Sequence, residues 1–177
     1  MAAAQKLRHF PVMGDIVFHR GHGPGMAHDH DGYPRQEQRF VVPLMMGAAL
    51  RGEPIPVHDG GRQTRCFTYV ADAVDAMVRA GDKPGVAPLL HVGTTEEVTM
   101  ADLAERIGRA VGGNYRTTVD HPSDRLGEAY QDIPRRVPDA SLARTVLGWE
   151  PRVSLDDGLA RTVEWVRGSA ATSGPVG

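Results

Sequence analysis

Between residues 55 and 166 the sequence alternates short apolar runs with segments whose apolar residues recur every three or four positions, and this alternation constrains the fold most. Ile55-Pro-Val57, Cys66-Phe-Thr-Tyr-Val70 and Leu89-Leu-His-Val92 are too short for helices and read as strands, with Asp59-Gly-Gly61 turning between the first two. Thr99-x-x-Asp102 has the form of a capping box, with Asp in place of the usual Glu. The helix behind it carries Leu103, Ile107 and Val111 on one stripe and ends at Gly112. Ser154-x-x-Asp157 opens another helix, with Leu155, Leu159, Val163 and Val166 on one side. A helix is expected from Phe40 to Leu50, with Pro43 in its first turn and Gly52 closing it, and one from Asp139 to Leu147, stopped by Gly148. Asp72 is expected to cap a helix whose Val74, Met77 and Val78 share one face. Upstream, Ile16-Val-Phe18 reads as a short buried strand. Strands and helices in alternation predict an α/β chain.

With 177 residues the chain is long enough for one core and a small appendage. Residues 1–13 read as an irregular N-terminus, 14–167 as the folded portion and 168–177 as a flexible tail of small residues. Twenty Lys and Arg against 22 Asp and Glu leave a formal charge of −2, which argues against a dedicated nucleic-acid binder, since that affinity rests on clustered cations. A single cysteine cannot form an internal disulfide, so a reducing, cytoplasmic setting is expected. No run approaches the ~20 apolar residues that span a bilayer, and the opening MAAAQKLRHFPVMGD reads as neither signal peptide nor anchor.

Several constellations could carry chemistry. Six of the eight histidines precede residue 59, and His28-Asp-His-Asp31, with His19 or His22, offers imidazole and carboxylate donors to a divalent metal. A solvated loop is the plainer reading, because no helical HxxxH or cysteine spacing fixes a geometry. Gly21, Gly23 and Gly25 miss the GxGxxG spacing, and Pro24 denies them the helix that a phosphate loop needs. Cys66, inside an apolar run, is expected to be a small buried thiol rather than a nucleophile. No GxSxG turn supports a hydrolase triad. Arg65 stands at the mouth of a strand behind a glycine turn, where a guanidinium can meet an anion through paired charge-assisted bonds or form a surface ion pair. Arg135 and Arg136, ahead of Pro138-Asp139, pose the same choice.

Five motifs in order carry a resemblance. Val42-Pro43 with Gly52-Glu-Pro-Ile-Pro-Val57, Gly61-Arg-Gln-Thr-Arg-Cys-Phe-Thr-Tyr-Val-Ala-Asp72, His91-Val-Gly-Thr-Thr-Glu-Glu-Val98, Asp132-Ile-Pro-Arg-Arg-Val-Pro-Asp139 and Leu147-Gly-Trp-Glu-Pro151 resemble the C-terminal half of extended short-chain dehydrogenase/reductases acting on nucleotide sugars. These are the NAD-dependent epimerases and dehydratases, including UDP-glucose 4-epimerase-like and UDP-glucuronate decarboxylase-like members. The resemblance runs from about Ile16 to Val166, and Gly23-Pro24 falls within it. It implies a partial Rossmann-like sheet joined to the small substrate-binding α/β subdomain of that family.

By the same resemblance, Arg65 and Arg136 stand where the family binds the nucleotide diphosphate, and Val42, Pro43, Val57 and His58 where it flanks the base and its ribose. Arg20, on the sugar side, replaces the family's usual asparagine, and Pro34-Arg-Gln36 resembles a substrate-loop element of some members. The family keeps its dinucleotide-binding glycines and its catalytic Tyr-x-x-x-Lys in the first half of a chain about twice this length. Here Tyr33, Tyr69, Tyr115 and Tyr130 are followed four residues later by Glu37, Ala73, Val119 and Pro134. Hydride chemistry needs a tyrosinate base, a lysine beside it and a nicotinamide. NAD is therefore implied for the family and expected not to be bound by this chain alone. The expected function is nucleotide-diphosphate-sugar binding, with a homo-oligomer or a separately encoded N-terminal half completing the sheet. A non-catalytic interaction module and a metal-dependent enzyme built on the histidine loop are the alternatives.

Overall fold

The computed structural model describes residues 12–13, 16–19, 40–83, 85, 89–121 and 133–171, and the side chains of those between 40 and 168. Among these the order is β1 (Val12–Met13), β2 (Ile16–His19), α1 (Val41–Leu50), β3 (Ile55–His58), β4 (Thr64–Cys66), β5 (Thr68–Tyr69), α2 (Val70–Asp82), β6 (Leu89–Val92), β7 (Glu97–Thr99), α3 (Met100–Val111), β8 (Thr117–Asp120), α4 (Ser141–Leu147) and α5 (Leu155–Ala171). The architecture is mixed α/β. The strands pair two by two: β3 with β8 in parallel, and β1 with β5, β2 with β6 and β4 with β7 antiparallel.

Three helices and β3 share the larger core. Met45 and Met46 of α1, Ile55 of β3, Leu103 and Ile107 of α3 and Leu159 of α5 are essentially sealed from water. Full burial of such side chains contributes roughly 1.5–3 kcal/mol each. The capping signals fold as their chemistry dictates. Thr99 Oγ1 accepts the amide of Asp102 at 3.0 Å, and Gly112 closes α3 in the left-handed conformation at φ 78°. Ser154 Oγ accepts the amide of Asp157 at 3.2 Å, and α5 continues to Ala171, beyond the residue where the tail was expected to begin.

Two local expectations are corrected. The run from Cys66 to Val70 is not one strand: β4 ends at Cys66 and pairs with β7, β5 pairs with β1, and buried Phe67 lies between. Asp72 does not cap α2, which begins at Val70 behind Tyr69. Its carboxylate instead accepts the amides of Arg152 and Val153 at 3.1 and 3.0 Å, and its carbonyl accepts the Trp149 indole. Consequently α2 turns Ala73 and Ala76 inward, the latter onto a second core of Leu90, Val92, Ala143, Leu147 and Trp149. Val74, Met77 and Val78 do share a face, but it is the outer one, 48, 36 and 56% exposed. Small residues let α4 approach α2 closely, and the larger ones are left outside.

Candidate functional site

β4 is flanked on both sides. On one edge Thr64, Arg65 and Cys66 lie opposite Thr99, Val98 and Glu97 of β7. On the other, a parallel bridge joins Thr64 to Arg135, with the Thr64 amide donating to the Pro134 carbonyl at 2.9 Å and the Arg136 amide to the Thr64 carbonyl at 3.4 Å. The segment 133–136 thus lies beside β4, although it is far from it in sequence.

Side chains alternate across extended backbone. On one face Glu97 is held from two sides: Thr64 Oγ1 donates to its Oε1 at 2.5 Å, and Arg135 engages both its oxygens, Nε at 3.1 Å and Nη2 at 2.9 Å. The Thr64 hydroxyl first, and the Arg135 guanidinium second, hold the Glu97 carboxyl below the usual glutamate range. Alternation sets Arg65 and Arg136 on the opposite face, on adjacent rungs. Arg65 is half-buried, and its Nη1 donates to the carbonyls of Thr64 and Ile133, both at 2.7 Å, while Arg136 is exposed.

The C-terminal ends of the parallel pair lie close by in sequence. His58 Nε2 approaches Asp120 Oδ2 to 3.1 Å, a buried atom without an aligned hydrogen bond, and His121 Nδ1 meets Asp59 Oδ1 at 2.9 Å. The carboxyl ends of parallel strands are where α/β sheets bind ligands. Val42, Pro43 and Val57 are buried, Val42 and Val57 within the larger core, so they support this region from beneath and present little side-chain surface. Arg20, Gly23-Pro24, the side chains of His19 and His22, His28-Asp-His-Asp31, Pro34-Arg-Gln36 and Asp132 lie outside the described residues. Among the described residues no group of three or more His, Cys, Asp and Glu is placed to hold a metal. Cys66 is buried, as its surroundings in sequence implied. No helix of the described residues is long and apolar enough to cross a membrane. Glu97 was not singled out in the sequence beyond its place in the motif His91-Val-Gly-Thr-Thr-Glu-Glu-Val98.

Fold and site define an α/β chain of the Rossmann-related class. Residues 25–162 match the family model described as GDP-mannose 4,6 dehydratase. A UDP-N-acetyl-α-D-glucosaminuronate decarboxylase of Bacillus cytotoxicus is 32% identical over 128 residues, 72% of this chain and 40% of that protein. A UDP-glucose 4-epimerase of Mycolicibacterium smegmatis is 38% identical over 137 residues, 76% of this chain and 42% of that protein. The crystal structure of Thermotoga maritima UDP-glucose 4-epimerase with UDP-glucose superimposes with a TM-score of 0.63 at 28% identity, covering 74% of this chain and 40% of that one. The chain belongs to the NAD-dependent nucleotide-sugar epimerase/dehydratase family. It spans about two-fifths of the length of these relatives.

Proposed function

We propose that this chain is the nucleotide-sugar-binding portion of an epimerase/dehydratase, with Arg65 and Arg136 gripping the diphosphate. The observation that carries this reading is their placement on adjacent rungs, one on β4 and one on the segment bridged to it. Two guanidiniums brought together there would match the paired oxygens of a diphosphate in charge and geometry. In this reading His58, with Val57 behind it, flanks the base, and the sugar side is assigned to Arg20, which lies outside the described residues. The UDP-glucose held in the Thermotoga maritima epimerase structure belongs to the same ligand class.

The described tyrosines do not fit the proton-transfer role that nicotinamide chemistry needs. Tyr69 lies under the Arg161 guanidinium, 5.6 Å from ring centre to cation, and Tyr115 packs on Gly108, so neither described tyrosine is paired with a lysine as proton transfer would need. In this reading the chain is a binding portion, and the electron-transfer machinery lies outside these 177 residues. The outward Val74, Met77 and Val78 of α2 favour association with a partner or with a second copy.

Calorimetric titration of the 177-residue protein with UDP and UDP-glucose tests the reading. Binding that Arg65→Ala weakens by about 10- to 100-fold is expected, the loss for one charged hydrogen-bond partner. Failure to bind either ligand at millimolar concentration overturns it in favour of a module without ligand.

A further inference from the structure

We infer that Glu97 is a positioning residue for the diphosphate grip: by clasping Arg135 against Thr64, it fixes the strand register that brings Arg136 beside Arg65. The inference rests on the nucleotide-sugar reading above, and it adds a residue to it.

Residues 133–136 meet β4 through one bridge, made of two main-chain hydrogen bonds, and through the Arg65 guanidinium. One bridge is a weak specification of register, and a slip by one residue would carry Arg136 to the other face of the segment. Glu97 supplies what the bridge lacks. Its two oxygens take Arg135 in a two-pronged grip from β7, across β4, and the Thr64 hydroxyl fixes the carboxylate from below. Three segments that are remote in the sequence are tied at one point. The same contact satisfies the Arg135 charge on its own face, so that Arg135 serves as an anchor while its neighbour in sequence faces the ligand. A planar fork holding a carboxylate by two nitrogens defines direction as well as distance, which is the property a register lock requires.

Amide hydrogen exchange and titration on the same proteins test this. In Glu97→Ala the Thr64 amide, which donates to Pro134, should exchange at least about tenfold faster, whereas the Met100 amide, bonded to Gln63 on the other side, keeps its protection. UDP affinity should fall about tenfold with uridine affinity unchanged, because only the diphosphate contacts are disturbed. The reversed pair E97R/R135E should recover both Thr64 protection and UDP affinity. Unchanged Thr64 exchange in Glu97→Ala overturns the clasp, and faster exchange with undiminished UDP affinity overturns its positioning role. If the parent protein binds no UDP at all, the nucleotide-sugar reading fails, the positioning role falls with it, and Thr64 exchange alone decides whether Glu97 locks the strand.

Discussion

The indole Nε1 of Trp149 donates a 2.8 Å hydrogen bond to the main-chain carbonyl of Asp72. Through this pair the start of α2 is fastened to the turn between α4 and α5, and the Asp72 carboxylate completes the joint by accepting the amides of Arg152 and Val153. A carboxylate in the first turn also complements the positive end of the helix. Asp72 is 6% exposed and Trp149 1%, so neither the indole N–H nor the carbonyl it meets has ready recourse to water.

Asp72→Ala should therefore destabilise the protein by about 2–3 kcal/mol, the effect of leaving partly buried donors without their charged acceptor. Urea denaturation followed by tryptophan emission measures it, and Trp149 emission should shift to the red as the joint loosens.

Leu103→Ala, in the centre of the larger core, should cost about 2–5 kcal/mol through lost transfer energy and the cavity left behind. Val78→Lys on the outer face of α2 should change stability by no more than about 0.5 kcal/mol. The same substitution should reduce self-association in sedimentation velocity if that face is where copies or partners meet.

Gly61 and Gly60 form a matched pair, at φ 69° and 73°. A Cβ on Gly61 would sit 2.5 Å from Val57 Cγ1 and 2.7 Å from the Ala101 nitrogen, whereas one on Gly60 meets nothing within 4 Å. Gly60→Ala should cost only the left-handed penalty of about 1–2 kcal/mol. Gly61→Ala should lower the melting temperature clearly further, because β3 and the start of α3 must separate to admit the methyl.

The Glu97 carboxyl is depressed by the Thr64 hydroxyl and then by Arg135, so its folded value lies below its unfolded one. Its contribution is therefore complete above the ordinary glutamate range and is lost as the pH falls through the depressed folded value. A carboxyl-carbon NMR titration should show Glu97 ionised below the point where exposed glutamates take up protons, with Thr64 exchange accelerating in the same acid window.

What the sequence disclosed was what is local. Thr99, Asp102 and Gly112 act within one turn of the helix they bound, and the Leu103–Ile107 stripe needs only the helical period to be recognised. The same period placed Val74, Met77 and Val78 on one side of α2 and could not say which side the rest of the molecule would cover. The break at Phe67 depends on β4 and β5 choosing different partners, a decision made by strands remote in the chain. Arg65 and Arg136 were marked by family resemblance, but their adjacency arises from the bridge at Thr64, and Glu97 drew no notice because a glutamate at the edge of a strand is commonplace.

The parallel ladder of β3 and β8 carries one further consequence. Thr117, Thr118 and Val119 are all exposed, so β8 adheres to β3 mainly through its backbone. Such a strand forms late and opens early, well before global unfolding. Because Asp120 rides at its end against His58, the surroundings of that imidazole are coupled to this exposed strand. A ligand that seats on His58 would thus cinch β8 into place, and rising protection along Thr117–Asp120 would report occupancy without any probe attached to the ligand.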